Sequence, residues 1–147
     1  VRPCTMDRSF FRLPLTPSPT MALPVRRSKD IPIEPVGGGV ATSRQVLTAK
    51  GEGEGFHMRR FAIAPGGGMP RHKNVVEHQQ IVLSGKATIG IGDGVYEVGV
   101  GDVVHIPGGT PHWYRTEGDA PFEFLCVIPD APDAIELVPD EGPSPER

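Results

Sequence analysis

Residues 101–114 read Gly101-Asp102-Val103-Val104-His105-Ile106-Pro107-Gly108-Gly109-Thr110-Pro111-His112-Trp113-Tyr114. A short apolar run from Val103 to Ile106 ends on Pro-Gly-Gly, and a second run opens on His112. Pro107 cannot donate to a ladder, so the stretch predicts two short strands joined by a tight loop. The same pattern continues on both sides. Predicted strands run from Arg44 to Thr48, Phe56 to Ala64, Gln79 to Leu83, Ala87 to Ile91, Val95 to Val98, Val103 to Ile106, His112 to Thr116 and Pro121 to Ile128. The predicted turns between them include Gly66-Gly67-Gly68, Ser84-Gly85 and Gly99 to Gly101. Asp93-Gly94, set between Ile91 and Val95, predicts a hairpin. Short strands at regular spacing with no helical stretch between them predict an all-β fold, an antiparallel sandwich or small barrel.

The totals agree with one modest core. The chain has 147 residues, 37% of them hydrophobic, with 19 glycines and 17 prolines. Glycine punctuates the middle and proline stiffens both flanks. This divides the chain into an extended Pro-rich arm (1–30), a β-barrel (31–130) and a flexible C-terminal tail (131–147). Within the tail, Ala134 to Val138 reads as one short helical turn or an edge strand. The net charge is -3 and no basic stripe is present, which argues against nucleic acid as a partner. No apolar run approaches the roughly 20 residues that span a bilayer, so a soluble, cytoplasmic protein with no membrane partner is expected. Cys4 and Cys126 are too few for a disulfide framework.

The histidines carry the chemistry. All five, His57, His72, His78, His105 and His112, lie in the Gly-punctuated middle. Strand side chains alternate faces, so His72, Asn74, His78 and Gln80 share one parity and predict one face. His112 opens a neighbouring strand and reaches the same face. Several imidazoles gathered in a barrel interior need partners, and a divalent metal supplies one, since neutral imidazole ligates Zn, Fe, Ni, Cu and Mn. His57 shares parity with Arg59, Phe61 and Ile63 and is a further inward candidate. His105 reads as a packing residue or substrate contact, Glu77 as an outward carboxylate, and Trp113 as facing away from His112. Tyr114 faces the cavity as a proton donor or substrate contact, and Gln80 as a polar contact beside it. Phe61, Ile63, Val82, Phe124 and Cys126 predict an apolar pocket.

Two segments together resemble the paired motifs of the cupin superfamily. The second family motif, Gly, five residues, Pro-x-Gly, two residues, His, fits Gly101, Pro107, Gly109 and His112 without a gap; its final Asn is Thr116 here. The first places His72 on the first His of His-x-His, Asn74 on the second, and His78 on the usual Glu, with Gly85 closing it. Glu77-His78 is similar to a subgroup of small cupins with an all-histidine site. The resemblance implies a double-stranded β-helix (jelly-roll barrel) over about residues 40–130. It also implies a divalent metal (Fe, Mn, Ni or Zn) on His72, His78, His112 and Asn74, and a homodimer. A site of neutral imidazoles keeps a formal charge near +2, which favours a bound enolate, phenolate or carboxylate. The expected function is a metal-dependent dioxygenase acting on a small enolisable or phenolic substrate. The alternatives are a non-redox polyketide cyclase or isomerase, and a ligand-binding or sensor protein without catalysis.

Overall fold

The computed structural model describes residues 24–139. Most of the expected 1–30 arm, and Cys4, lie outside the described residues. Its described end carries a 3-10 turn at Ser28–Asp30. Ten strands follow: β1 (Glu34–Pro35), β2 (Val40–Val46), β3 (Phe56–Asn74), β4 (His78–Ser84), β5 (Lys86–Ile91), β6 (Gly94–Gly99), β7 (Val103–Ile106), β8 (His112–Glu117), β9 (Phe122–Pro129) and β10 (Ile135–Leu137). Every pairing is antiparallel, and the strands form one curled sheet in the order β6-β5-β8-β3-β9-β4-β7. This is the antiparallel barrel that the spacing of short strands predicts and the jelly roll that the resemblance implies.

β3 departs from expectation. The predicted turn at Gly66-Gly67-Gly68 is absent, because the strand runs through it for 19 residues. Its first half pairs with β2 and β9, and its second half with β8 and β10. The glycines make the corner between the two halves. Gly66 has φ +78°, and a Cβ on Gly68 would stand 2.4 Å from the Tyr114 carbonyl oxygen. The Thr116 hydroxyl lies 2.9 Å from the Ala64 carbonyl and 2.7 Å from that of Gly67, tying the corner to β8. A second irregularity follows. Met69 pairs with Tyr114 but His72 pairs with His112, so β3 holds one extra residue there, a β-bulge.

Two smaller corrections concern turns and the C-terminal segment. The β5–β6 hairpin turns on Gly92-Asp93, not Asp93-Gly94. Ile91 pairs with Gly94, and the positive φ falls on Gly92, the pattern of a type II′ turn. The expected tail keeps its structure beyond residue 130. β10 is an edge strand on Asn74, Lys73 and His72, and Asp133 accepts backbone hydrogen bonds from Val75 and Val76 at 3.0 and 3.3 Å.

Alternation sets the core. Phe61 and Ile63 on β3, Val82 on β4 and Phe122 and Phe124 on β9 point inward and are buried. Phe61, Phe124 and Tyr114 stack in sequence, with ring centroids 5.1 and 5.2 Å apart. Cys126 is a free, buried thiol in the same layer. The residues expected to line an apolar pocket, Phe61, Ile63, Val82, Phe124 and Cys126, are all buried and inward-facing. A depression of about 300 Å³ lies elsewhere, on the outer side of β2 and β3 beside Arg44, Arg60 and Glu123, and none of the histidines lines it.

Candidate metal centre

The loop after β7 folds back so that the Gly109 N–H donates to the Asn74 carbonyl at 2.7 Å. That bond seats the start of β8 against the end of β3. His72 and His112 become direct cross-strand partners with ring centroids 4.2 Å apart, and the His78 ring lies 5.3 Å from that of His112. The Nδ1 of His72 bonds the Pro70 carbonyl at 2.7 Å, and that of His112 the Thr110 carbonyl at 2.9 Å. A carbonyl only accepts, so each Nδ1 carries the proton and each Nε2 presents a lone pair. The Nε2 atoms of His78 and His112 are buried with no hydrogen-bond partner.

Burial keeps the His78 and His112 rings neutral. Burial, then the Arg59 charge, pushes the His78 imidazole down to about 3, and burial pushes His112 down to about 4. Imidazoles fixed through the far nitrogen and bare at the near one suit a divalent cation. Among the described residues, no three His, Cys, Asp or Glu side chains already converge on one point. The fit therefore rests on the orphaned nitrogens and not on a closed ligand shell.

Asn74 is buried beside the trio. Its Nδ2 donates to the Asp133 carboxylate at 2.8 Å, while its Oδ1 has no partner. The amide is thus oriented from the C-terminal segment with an oxygen left over, a donor suited to a hard cation or its water. Gln80 and Tyr114 face inward and touch, with Gln80 Nε2 donating to the Tyr114 hydroxyl at 2.7 Å. Burial raises the Tyr114 phenol far above its ordinary range, so it keeps its proton. The T-shaped contact of Tyr114 with His112, centroids 5.9 Å apart, links this pair to the histidines.

Other sequence candidates fall elsewhere. His57 points inward with an unpartnered Nδ1, but among the described residues its ring contacts none of the three imidazoles. His105 is neither a packing residue nor a cavity contact. It is exposed on the outer face and bonds the Glu77 carboxylate at 2.8 Å. Trp113 lies on the face opposite His112, over Gly90. Sequence reasoning passed over Arg59 and Asp133. Asp133 carries no local signal, because it reaches Asn74 from 59 residues away. Arg59 did carry one, a charge in register with Phe61 and Ile63.

Residues 59–128 match the family model described as "Cupin domain". The chain carries a cupin domain. It is 31% identical over 97 residues to the 1-methylthio-D-xylulose 5-phosphate methylsulfurylase of Rhodospirillum rubrum, covering 66% of this chain and 62% of that protein. It therefore spans about three fifths of the curated relative. Among solved structures, the polyketide cyclase RemF from Streptomyces resistomycificus superposes with a TM-score of 0.70 at 27% identity, over 82% of this chain and 89% of that one. A cupin-2 domain from Rhodospirillum rubrum gives a TM-score of 0.71 at 26% identity, over 79% and 80%. The matched span contains His72, His78 and His112. No helix among the described residues is long and apolar enough to cross a membrane.

Proposed function

We propose that this cupin is a metal-dependent enzyme acting on a small oxygenated, enolisable molecule without net redox change, in a cyclisation, isomerisation or group-elimination reaction. One observation carries the reading: the Nε2 atoms of His78 and His112 are buried, neutral and unpartnered, and the His72 ring lies 4.2 Å from that of His112. Buried nitrogens of this kind are costly unless something takes their lone pairs. A divalent cation on His72, His78 and His112, with Asn74 beside them, would supply a Lewis acid for a substrate carbonyl or enolate oxygen. The curated relative is named for transfer of a methylsulfur group and the structural neighbour for a cyclisation, which supports group-elimination or cyclisation chemistry.

The protein's own groups then have distinct tasks. Tyr114 accepts from Gln80 and holds its proton, so its O–H is free to donate to a substrate oxygen. The Gln80 Oε1 is buried without a partner and would accept from a substrate hydroxyl. The stacked rings of Phe61 and Phe124 close the interior beyond Tyr114 and exclude water.

Metal content after anaerobic purification tests the reading. The wild-type chain should hold close to one divalent ion, and His112→Ala less than about a tenth of that, in line with the loss of a ligand. No oxygen uptake is expected on a panel of β-diketones and catechols. Iron in the site together with oxygen uptake would replace this reading with a dioxygenase. Unchanged metal content in His112→Ala would overturn the site itself.

A further inference from the structure

Among the described residues Arg59 is the one Arg, Lys, Asp or Glu whose side chain is buried. It sits on β3 between His57 and Phe61, faces inward, and is only 9% exposed. Its backbone pairs with Cys126, and Cys126 pairs with Gln80, so it shares a layer with the polar groups beside the histidines. Arg26, Arg44, Arg60 and Arg115 each meet a glutamate. Among the described residues Arg59 meets no carboxylate. Its Nη2 reaches only the Cys126 sulfur, at 3.5 Å, and its guanidinium carbon lies 5.1 Å from the centre of the Phe61 ring. Its Nε is buried with no partner at all.

A buried guanidinium in this state is expensive. Sulfur is a weak acceptor and a ring face satisfies only part of the charge, so a planar fork of N–H donors is left without its natural counterpart. That counterpart is an oxyanion. The neighbours are suited to holding one: Gln80 and Tyr114 are neutral and polar, and among the described residues no carboxylate pairs with Arg59.

We infer that Arg59 is the oxyanion anchor of this cupin, and that its substrates carry a carboxylate or phosphate group beside the oxygen that meets the histidine site. This rests on the reading of the barrel interior as a substrate site. It adds the substrate class, small organic acids or phosphate esters, and a specificity-determining residue. The anion pairs with the guanidinium fork through N–H···O bonds and fixes the rest of the molecule relative to His78 and Tyr114.

The test measures binding of inorganic phosphate and of acetate to the purified full chain by calorimetry, with acetamide as the neutral control and metal content determined on the same samples. The wild-type chain should bind phosphate or acetate, and whichever binds names the source of the oxyanion. Arg59→Lys should weaken that binding severalfold, and Arg59→Met at least tenfold, with metal content unchanged. Arg59→Met also separates anchoring from packing. It keeps the apolar stem against Phe61 and removes an unpaired charge, so Tm should hold or rise while anion binding is lost. Equal anion affinity in wild type and Arg59→Met would overturn the inference, as would failure of both anions to bind the metal-loaded wild type. Loss of metal in His112→Ala with Arg59-dependent anion binding intact would uphold both assignments independently. Absence of metal from every sample, with Arg59-dependent binding retained, would remove the metal reading and leave the anchor.

Discussion

The two ends of the barrel interior are built by the same strands and treat burial in opposite ways. At one end Phe61, Ile63, Phe122 and Phe124 interlock, and the ring stack continues to Tyr114. At the other, inward positions on β3, β4 and β8 hold Arg59, His78, Gln80 and His112, and each has a buried nitrogen or oxygen with nothing to bond. A core built for stability alone would not leave polar atoms orphaned side by side. The aromatic end makes the barrel rigid, and the polar end spends part of that rigidity on holding groups ready for a ligand.

Acid should separate the two ends most sharply. His78 and His112 have folded values of about 3 and about 4, below the ordinary imidazole range. Between about pH 6.5 and 4 the unfolded chain binds protons that the native chain refuses, so stability falls as pH drops through that window. The metal-free chain should lose about 1.4 kcal/mol per pH unit for each imidazole, as read by urea denaturation. His112→Gln should roughly halve the slope; an unchanged slope would mean the polar end is not what acid attacks. Phe124→Ala probes the other end. It removes a ring stacked on both Phe61 and Tyr114 and should cost about 3–5 kcal/mol in the same experiment. Metal content at neutral pH should survive that change, and its loss would show that the ends are not separable.

Asp133 should have a smaller effect, confined to the polar end. Asp133→Ala leaves the Asn74 amide and two backbone N–H groups without their acceptor. Metal affinity measured by chelator competition should fall about tenfold, the scale for a residue that orients a ligand from behind. The exposed His105–Glu77 pair belongs to neither end. Glu77→Gln should change stability by less than about 0.5 kcal/mol and leave metal content alone.

What the sequence made legible follows from what is local. The strand from Val103 to Ile106, the Pro107-Gly108-Gly109 loop and the inward facing of Gln80 and Tyr114 depend on alternation and turn chemistry, which neighbours in sequence decide. The grouping of His72, His78 and His112 was readable because two motifs carry their spacing. The glycines at 66–68 looked like a turn because three together usually break a strand; here Gly68 lets the Tyr114 carbonyl pass, Gly67 that of Val40, and Gly66 takes a positive φ. His105 was misplaced because each face of β7 carries a valine, Val103 outside and Val104 inside, so composition did not mark which side is inside. Asp133 depends on β10 folding back across β3, a long-range pairing that no local pattern records.

The single extra residue between Met69 and His72 has a consequence of its own. Before it, the odd-numbered residues of β3, Arg59, Phe61, Ile63 and Met69, look inward; after it, His72 lies opposite the buried His112. The bulge is a half-period phase shift written into one strand, and it lets the anion anchor and the first imidazole share an interior. Deleting one residue there would remove the bulge and leave His72 opposite His112. Pairing the same residues without the bulge would instead turn His72 to the outer face while Arg59 stayed in place. The bulge thus lets one strand carry an odd-numbered and an even-numbered residue to the same interior.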